Sequence, residues 1–345
     1  MGEMRKLLNT LYILQPNAYL SRDGENIVVT IEGREIARRP IHILEQIICF
    51  NYMGISPGLM QLCTENKVNV TFLTPNGGFI GRIQGKTSGN VLLRREQYRI
   101  ADDKSHALPI AKNMIIAKII NQRKIINRGI RDHGEFTDIN LLKTIEDRLN
   151  EIVLRVDSVS NHEELRGLEG EASRFYFTGV NELIVRQKDI FYFKERSRRP
   201  PKDPFNALLS FAYTLLTVDM TGAIETVGLD PYVGFFHTDR PGRASLSLDM
   251  IEELRGYIAD RFVLSLINRH QITKNDFVFK ESGGVLLNEK GREKFLTAWQ
   301  KRKLNIIEHP FLKEKIEIGL LPYAQAMLLA RYIRKDIDEY PPFLM

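Results

Sequence analysis

An α+β fold is predicted for this chain. A β-rich, β-sandwich-like domain occupies residues 1–85, a linker spans 86–100, and a larger, mainly α-helical domain follows over 101–345. Three observations carry this reading. Short strand-like runs separated by turn formers crowd the first 85 residues, and helical periodicity takes over from about residue 100. With 345 residues, 43% hydrophobic and 27% charged, the chain can bury more than one core and has the composition of a folded globular protein.

In order along the chain, residues 7–14, 19–22, 27–31 and 35–38 read as strands. Asp23-Gly24 is a tight-turn pair, and Glu32-Gly33 stands where the next reversal is needed. Ser56 followed by Pro57 predicts the cap and first position of a short helix reaching about Asn66. Residues 68–73 and 79–83 return to strand across Pro75-Asn76-Gly77-Gly78. This half has no cluster of acids, histidines or nucleophiles, and its short strands offer edges that could pair with a second copy. Residues 86–99 carry Lys86, Arg94, Arg95 and Arg99 beside Gly85 and Gly89, the composition of a linker.

In the helical half, Ile115, Ile116, Ile119 and Ile120 are read as an apolar face, with Lys118, Arg123 and Lys124 as a basic one. An apolar helix over 207–218 is opened by Asp203-Pro204-Phe205-Asn206, where Asp203 and Asn206 can both cap. Residues 277–279 and 285–287 form a hairpin around Gly283-Gly284, and Asn288 caps a helix to about Lys303. The tail, residues 340–345, holds two aromatics and two prolines and is too apolar for a floppy end. It is expected to pack against a neighbouring surface, with its own helical domain and a companion protein as the alternatives.

Composition narrows the function. The net charge of +6 makes an acidic partner plausible. Cys49 and Cys63 sit apart in apolar or mixed sequence and read as packed thiols, not a metal site or disulfide framework. No run of about 18 uninterrupted apolar residues is present, so no membrane segment is expected. Asn9, Gln15 and Asn17 break any signal-like region, and a reduced cytoplasm is the expected location. Glycine-rich phosphate loops, a GxGxxG turn after a strand and a serine elbow are all missing, which removes the usual signatures of nucleotide hydrolysis and acyl transfer.

Three residues are candidate metal ligands and catalytic groups: Glu169, His237 and Glu252. Around 163–183 the apolar stripe is Leu165, Leu168, Ala172, Phe175, Tyr176 and Leu183, and Glu169 falls about 60° from its centre. A carboxylate at the edge of a buried face needs a cation or hydrogen bonds, so metal ligation and a structural ion pair both satisfy it. A helix over about 247–266 would bury Ile251, Leu254, Ile258 and Phe262. That phase sets Glu252 about 100° from the stripe and turns Asp249 and Glu253 roughly 160° away. Glu252 is then the acid at a cleft wall, Glu253 the solvated one, and Asp249 a supporting or alternate ligand. His237 follows Gly234-Phe235-Phe236 and precedes a turn-rich basic loop. One imidazole with two carboxylates suits Mg²⁺ or Mn²⁺, not a thiolate-rich zinc site.

Lys194, Arg196, Arg198, Arg199 and Lys202 fall within nine residues stiffened by Pro200 and Pro201, and Arg240 and Arg243 add to the same field. Such density near candidate metal ligands suits phosphate contact and DNA binding.

Taken together, LRGLEGEASRFYF, RSRRPPKDPFNALLSFAYTLL, GFFHTDRPGRASLSLDMIEELR and VLLNEKGREKFL strongly resemble the CRISPR adaptation integrase, the endonuclease-like first CRISPR-associated protein. The resemblance runs over nearly the whole chain. It places the family's acid of the EGEA block on Glu169, its histidine of the FFH block on His237 and its last acid on Glu252. It implies a homodimer, paired with the small second adaptation protein, that inserts short foreign DNA fragments into a repeat array. In that reaction a fragment's 3′-hydroxyl attacks a repeat phosphodiester with Mg²⁺ or Mn²⁺ present. A nuclease or junction resolvase that only hydrolyses, and a non-catalytic DNA-bridging scaffold, are the alternatives.

Overall fold

The computed structural model describes residues 10–15, 17–50, 54–75, 77–85, 91–198 and 200–345. Residues 7–9 of the first expected strand, Asn76 of the expected turn, the first part of the expected linker and Arg199 lie outside the described residues. The chain divides into two compact units, residues 1–88 with 292–304 and residues 89–291 with 305–345.

In the first unit, β1 (Thr10–Ile13), β2 (Ala18–Asp23), β3 (Asn26–Ile31), β4 (Arg34–Pro40) and β5 (Gln46–Cys49) precede α1 (Pro57–Glu65), β6 (Asn69–Leu73) and β7 (Phe79–Ile83). Gly24 and Gly33 take the positive φ values, 59° and 77°, that the two tight reversals of the β2-β3-β4 antiparallel sheet require. The second sheet runs β1-β5-β6-β7, parallel across β1-β5-β6 and antiparallel at β7. Leu20, Ile27 and Val29 from one sheet and Ile13, Ile47 and Val70 from the other bury into one core with Leu59 and Leu62 of α1. The Ser56 side chain accepts from Leu59 N, as an N-cap does. Strand β5 was not expected. Its four residues are all buried, so they show no alternation to mark them as a strand. Cys49 and Cys63 are both free thiols in this core, where burial pushes them up to about 12 and about 11.

The second unit begins earlier than expected. Residues read as linker form α2 (Val91–Asp102), because Leu93 and Gln97 bury one face of a helix whose other positions are largely charged. Then come α3 (Lys104–His133), α4 (Ile139–Asp157), α5 (His162–Leu183) and α6 (Pro204–Thr226). The predicted helix over 247–266 is three consecutive pieces: α7 (Ser245–Leu254), a π-helical stretch (Arg255–Asp260) and α8 (Arg261–Asn268). The hairpin β8 (Phe277–Phe279) and β9 (Val285–Leu287) follows; α9 (Glu289–Lys303), which from Arg292 belongs to the first unit, comes next, and the pair β10 (Ile306–Glu308) and β11 (Lys315–Glu317) and α10 (Leu321–Ile333) complete the second.

Helix α3 is the spine, flanked by α4, α5 and α7. Gly179 on α5 permits that approach, since a Cβ there would lie 2.9 Å from Ile145 and 3.2 Å from Ile126. Helix α6 is long and apolar enough to cross a membrane by length and composition, and 56% of its most apolar window is buried inside the protein. It packs against α7 and α10.

Residues 340–345 do not extend from the unit. Tyr340 and Phe343 are almost fully buried in it, Asn113 donates to Tyr340 O, and Met345 N donates to Asn121 Oδ1 at 2.7 Å. Of the two expected docking surfaces, the tail takes its own helical domain.

Candidate functional site

Asn161 caps α5 by accepting from the backbone of Glu163 and Glu164, which fixes the helix on which Glu169 lies two turns later. Glu169 is partly exposed, as the edge of its stripe requires, and accepts from Ser173 Oγ at 2.9 Å. Its other partner is Lys118 of α3, a residue read as part of a basic surface. Lys118 is only 5% exposed. A wheel centred on Met114, Ile115, Asn121, Gln122 and Ile125 puts it inside the buried stripe of α3, the signal that would have found it.

Lys118 Nζ also lies 2.8 Å from Glu252 Oε2, so two carboxylates from α5 and α7 share one ammonium. The other Glu252 oxygen pairs with Arg255 Nη1 at 2.8 Å. Burial by itself would push the Glu252 carboxyl up, but Arg255, Lys118 and His237 outweigh it and hold the group at about 2. Glu252 is therefore a carboxylate at neutral pH despite being buried. Its Oε2 lies 2.8 Å from Lys118 Nζ in an ion pair and has no other partner among the described residues.

The expectation for Glu253 fails. It is fully buried and accepts from Tyr340 Oη at 2.5 Å, Phe343 N at 2.7 Å and Gln325 Nε2 at 3.1 Å. The wheel assumed one apolar stripe with water opposite. Helix α7 instead lies among α3, α6 and α10, and all of its residues but Leu248 are buried. Helical phase cannot separate adjacent acids on a helix that has no solvated side.

His237 is placed by Asp249. The Asp249 carboxylate, fully buried, accepts from the backbone N–H groups of Phe235, Phe236 and His237 and lies 2.6 Å from His237 Nδ1. This leaves Nε2 as the ring nitrogen for outside work. Asp249 thus orients His237, with its oxygens taken up by that loop and not by the acid pair. Gly234 completes the turn, since a Cβ there would come within 2.6 Å of Asp249 Oδ2 and 2.9 Å of Ser245 C. Gly234→Ala is expected to displace the Asp249 carboxylate from its donors and to cost about 2–3 kcal/mol, measured as a lowered denaturation midpoint.

Among the described residues, no three of His, Cys, Asp and Glu stand close enough together to hold a metal ion. Of the three expected ligands, Glu169 and Glu252 meet at Lys118, while Asp249 holds His237 through Nδ1, near enough for the ring to act on the Glu252 carboxylate. As oxygen donors facing one cation, with a buried Glu252 oxygen that has no partner but Lys118 among the described residues, the acid pair fits a hard divalent ion such as Mg²⁺ or Mn²⁺.

Behind the acids stands a cluster with no sequence signature. Asp260 accepts from Tyr213 at 2.6 Å and Tyr176 at 2.9 Å. Arg255 lies 4.9 Å from the Tyr213 ring centre and Arg196 lies 5.6 Å from it. The π-helical stretch makes this possible, because its wider turn brings Arg255 and Asp260, five apart, towards one face.

Arg196 was expected to grip DNA, but its guanidinium turns inward. It donates to Asn206 Oδ1 at 2.6 Å, Ser197 O at 2.7 Å and Ser210 Oγ at 3.2 Å. Asp203 caps α6 by accepting from Asn206 N, and Asn206 Nδ2 donates to Glu195 O, so the loop is tied to that helix. Lys194, Arg198, Lys202 and Arg240 are on the surface, and Arg243 is half-buried.

The family model described as "CRISPR associated protein Cas1" matches residues 11–301. The chain is 48% identical to a CRISPR-associated endonuclease Cas1 of Chlorobaculum tepidum, over 99% of both chains. It is 46% identical to another of Rhodospirillum rubrum, again over 99% of both. The solved structure of a CAS1 protein from Thermotoga maritima superposes with a TM-score of 0.80 at 20% identity, covering 94% of this chain and 97% of that one, a likeness of fold.

Proposed function

The chain belongs to the Cas1 family of CRISPR-associated proteins, and from this we propose that it is a divalent-metal-dependent DNA endonuclease and integrase of CRISPR adaptation. Its reaction is the insertion of short foreign DNA fragments into a repeat array by 3′-hydroxyl transesterification. The observation that carries the reading is the convergence of Glu169 and Glu252 on one cation, with Glu252 kept ionised in a buried site.

In this reading Glu169, Glu252 and His237 would hold Mg²⁺ or Mn²⁺. The ion would supply charge stabilisation to the phosphoryl oxygens during displacement. The protein's own groups do the rest. Asp249 holds the His237 ring by Nδ1, so Nε2 stays free for the site. Arg255 fixes one Glu252 oxygen and leaves the other for the site. Tyr213 couples Arg255 to Arg196 and so to the basic loop, whose surface cations hold DNA backbone without reading sequence. A homodimer in the cytoplasm, partnered by the small second adaptation protein, completes the proposal.

The pairing of both acids with Lys118 and Arg255 favours one other reading, a DNA-bridging scaffold in which they are structural ion pairs. Incubating a labelled 3′-hydroxyl DNA fragment with repeat DNA and Mn²⁺ separates the possibilities. Joined product supports the integrase, cleavage without joining reduces it to a nuclease, and no reaction with intact DNA binding leaves the scaffold.

Neutralising Lys194, Arg198 and Lys202 together is expected to weaken binding to unrelated DNA sequences alike. The log–log salt slope should flatten by about 0.9 for each phosphate that the loop no longer neutralises. An unchanged slope would make the loop a solvated charge run.

A further inference from the structure

We propose that Lys118 is the internal counter-cation of the acid pair, holding Glu169 and Glu252 together until a divalent ion takes its place, and thereby setting how tightly that ion binds. The inference rests on the metal reading above and assigns a positioning residue to it.

The geometry is specific. Lys118 lies on a different helix from either acid, yet its single ammonium reaches both. It is almost wholly buried, and among the described residues these two are the carboxylates that pair with it. Two carboxylates close enough to touch one nitrogen repel each other, and a cation between them relieves that repulsion. Arg255 pairs with Glu252 through Oε1 and acts on Glu169 only at longer range, so Lys118 is the cation in contact with both acids. A divalent ion bound to the same oxygens would meet a like charge within a few ångströms, so the lysine must yield its place.

A buried lysine that merely stabilised the fold would weaken metal binding on removal, by loosening the site. A counter-cation in competition with the metal would do the opposite. The test is titration of Mn²⁺ into the chelator-treated full-length protein, read by loss of the free-ion electron paramagnetic resonance signal. Lys118→Met is expected to bind Mn²⁺ about tenfold more tightly than wild type. Glu252→Gln is expected to lose the binding. Equal or weaker binding by Lys118→Met, with binding still lost in Glu252→Gln, overturns the role of Lys118 and leaves the metal reading in place. Absence of saturable binding in wild type and Lys118→Met alike overturns both.

If Lys118→Met does not fold, the wild-type chain answers by amine acetylation and mass mapping. Lys118 should be protected in the chelated protein and labelled several-fold faster at saturating Mn²⁺. Labelling that Mn²⁺ leaves unchanged overturns the proposal.

Discussion

Glu253→Ala is expected to destabilise the helical unit by about 4 kcal/mol, because it strands the buried donors of Tyr340, Phe343 and Gln325 together. Cutting the chain after Glu339 should cost at least as much. It removes two buried aromatic rings and leaves Glu253 with Gln325 alone among these partners. Urea denaturation of both variants measures this. A tail that served only to dock a companion protein would leave the midpoint unchanged. The same carboxyl makes stability depend on pH. Burial raises Glu253 to about 7 from an ordinary 4.5, against the opposing bonds of Tyr340, Phe343 and Gln325. The unfolded chain therefore releases this proton at lower pH than the folded one. Glu253's contribution is full below about 4.5 and is lost as pH rises through about 7. Glu253→Gln should be less stable than wild type at pH 5 and should flatten the decline between pH 5 and 8. An equal decline in both proteins would assign the pH dependence to other groups.

Glu252→Gln is expected to lower strand transfer and cleavage by about a thousandfold, the loss of one charged ligand from a metal-assisted displacement. It also leaves Lys118 and Arg255 without their shared acid, at a cost of about 2–3 kcal/mol. Glu169→Gln should lose comparable activity with a smaller loss of stability, since Glu169 is partly exposed and keeps Ser173 as a neighbour. DNA binding should persist in both. Retained activity in Glu252→Gln would exclude Glu252 from the chemistry and overturn the metal reading of the acid pair.

These two adjacent acids also mark the limit of what the sequence alone reveals. Local chemistry was legible. Ser56 and Asp203 cap their helices, Gly24 and Gly33 turn their hairpins, and Asn288 Oδ1 accepts from Gly291 N, as residue type and spacing implied. Glu169 was placed at the edge of a buried stripe because α5 does have one solvated face, on which Glu163 is exposed. The family motifs also pointed to Glu169 and Glu252, which the fold brings to one lysine.

What the sequence by itself determined is thus the α+β order of elements, the caps and turns, and the family's motif blocks, all set by neighbours within a few residues. Only the tertiary structure decided that Lys118 lies between two acids, that Arg196 turns inward over Tyr213, and that Glu253 holds the chain's end. Each depends on helices that are distant in sequence and closed around α7 on several sides. Burial of that kind removes the contrast between wet and dry faces on which periodicity depends, and a π-helical turn then shifts the phase of what remains.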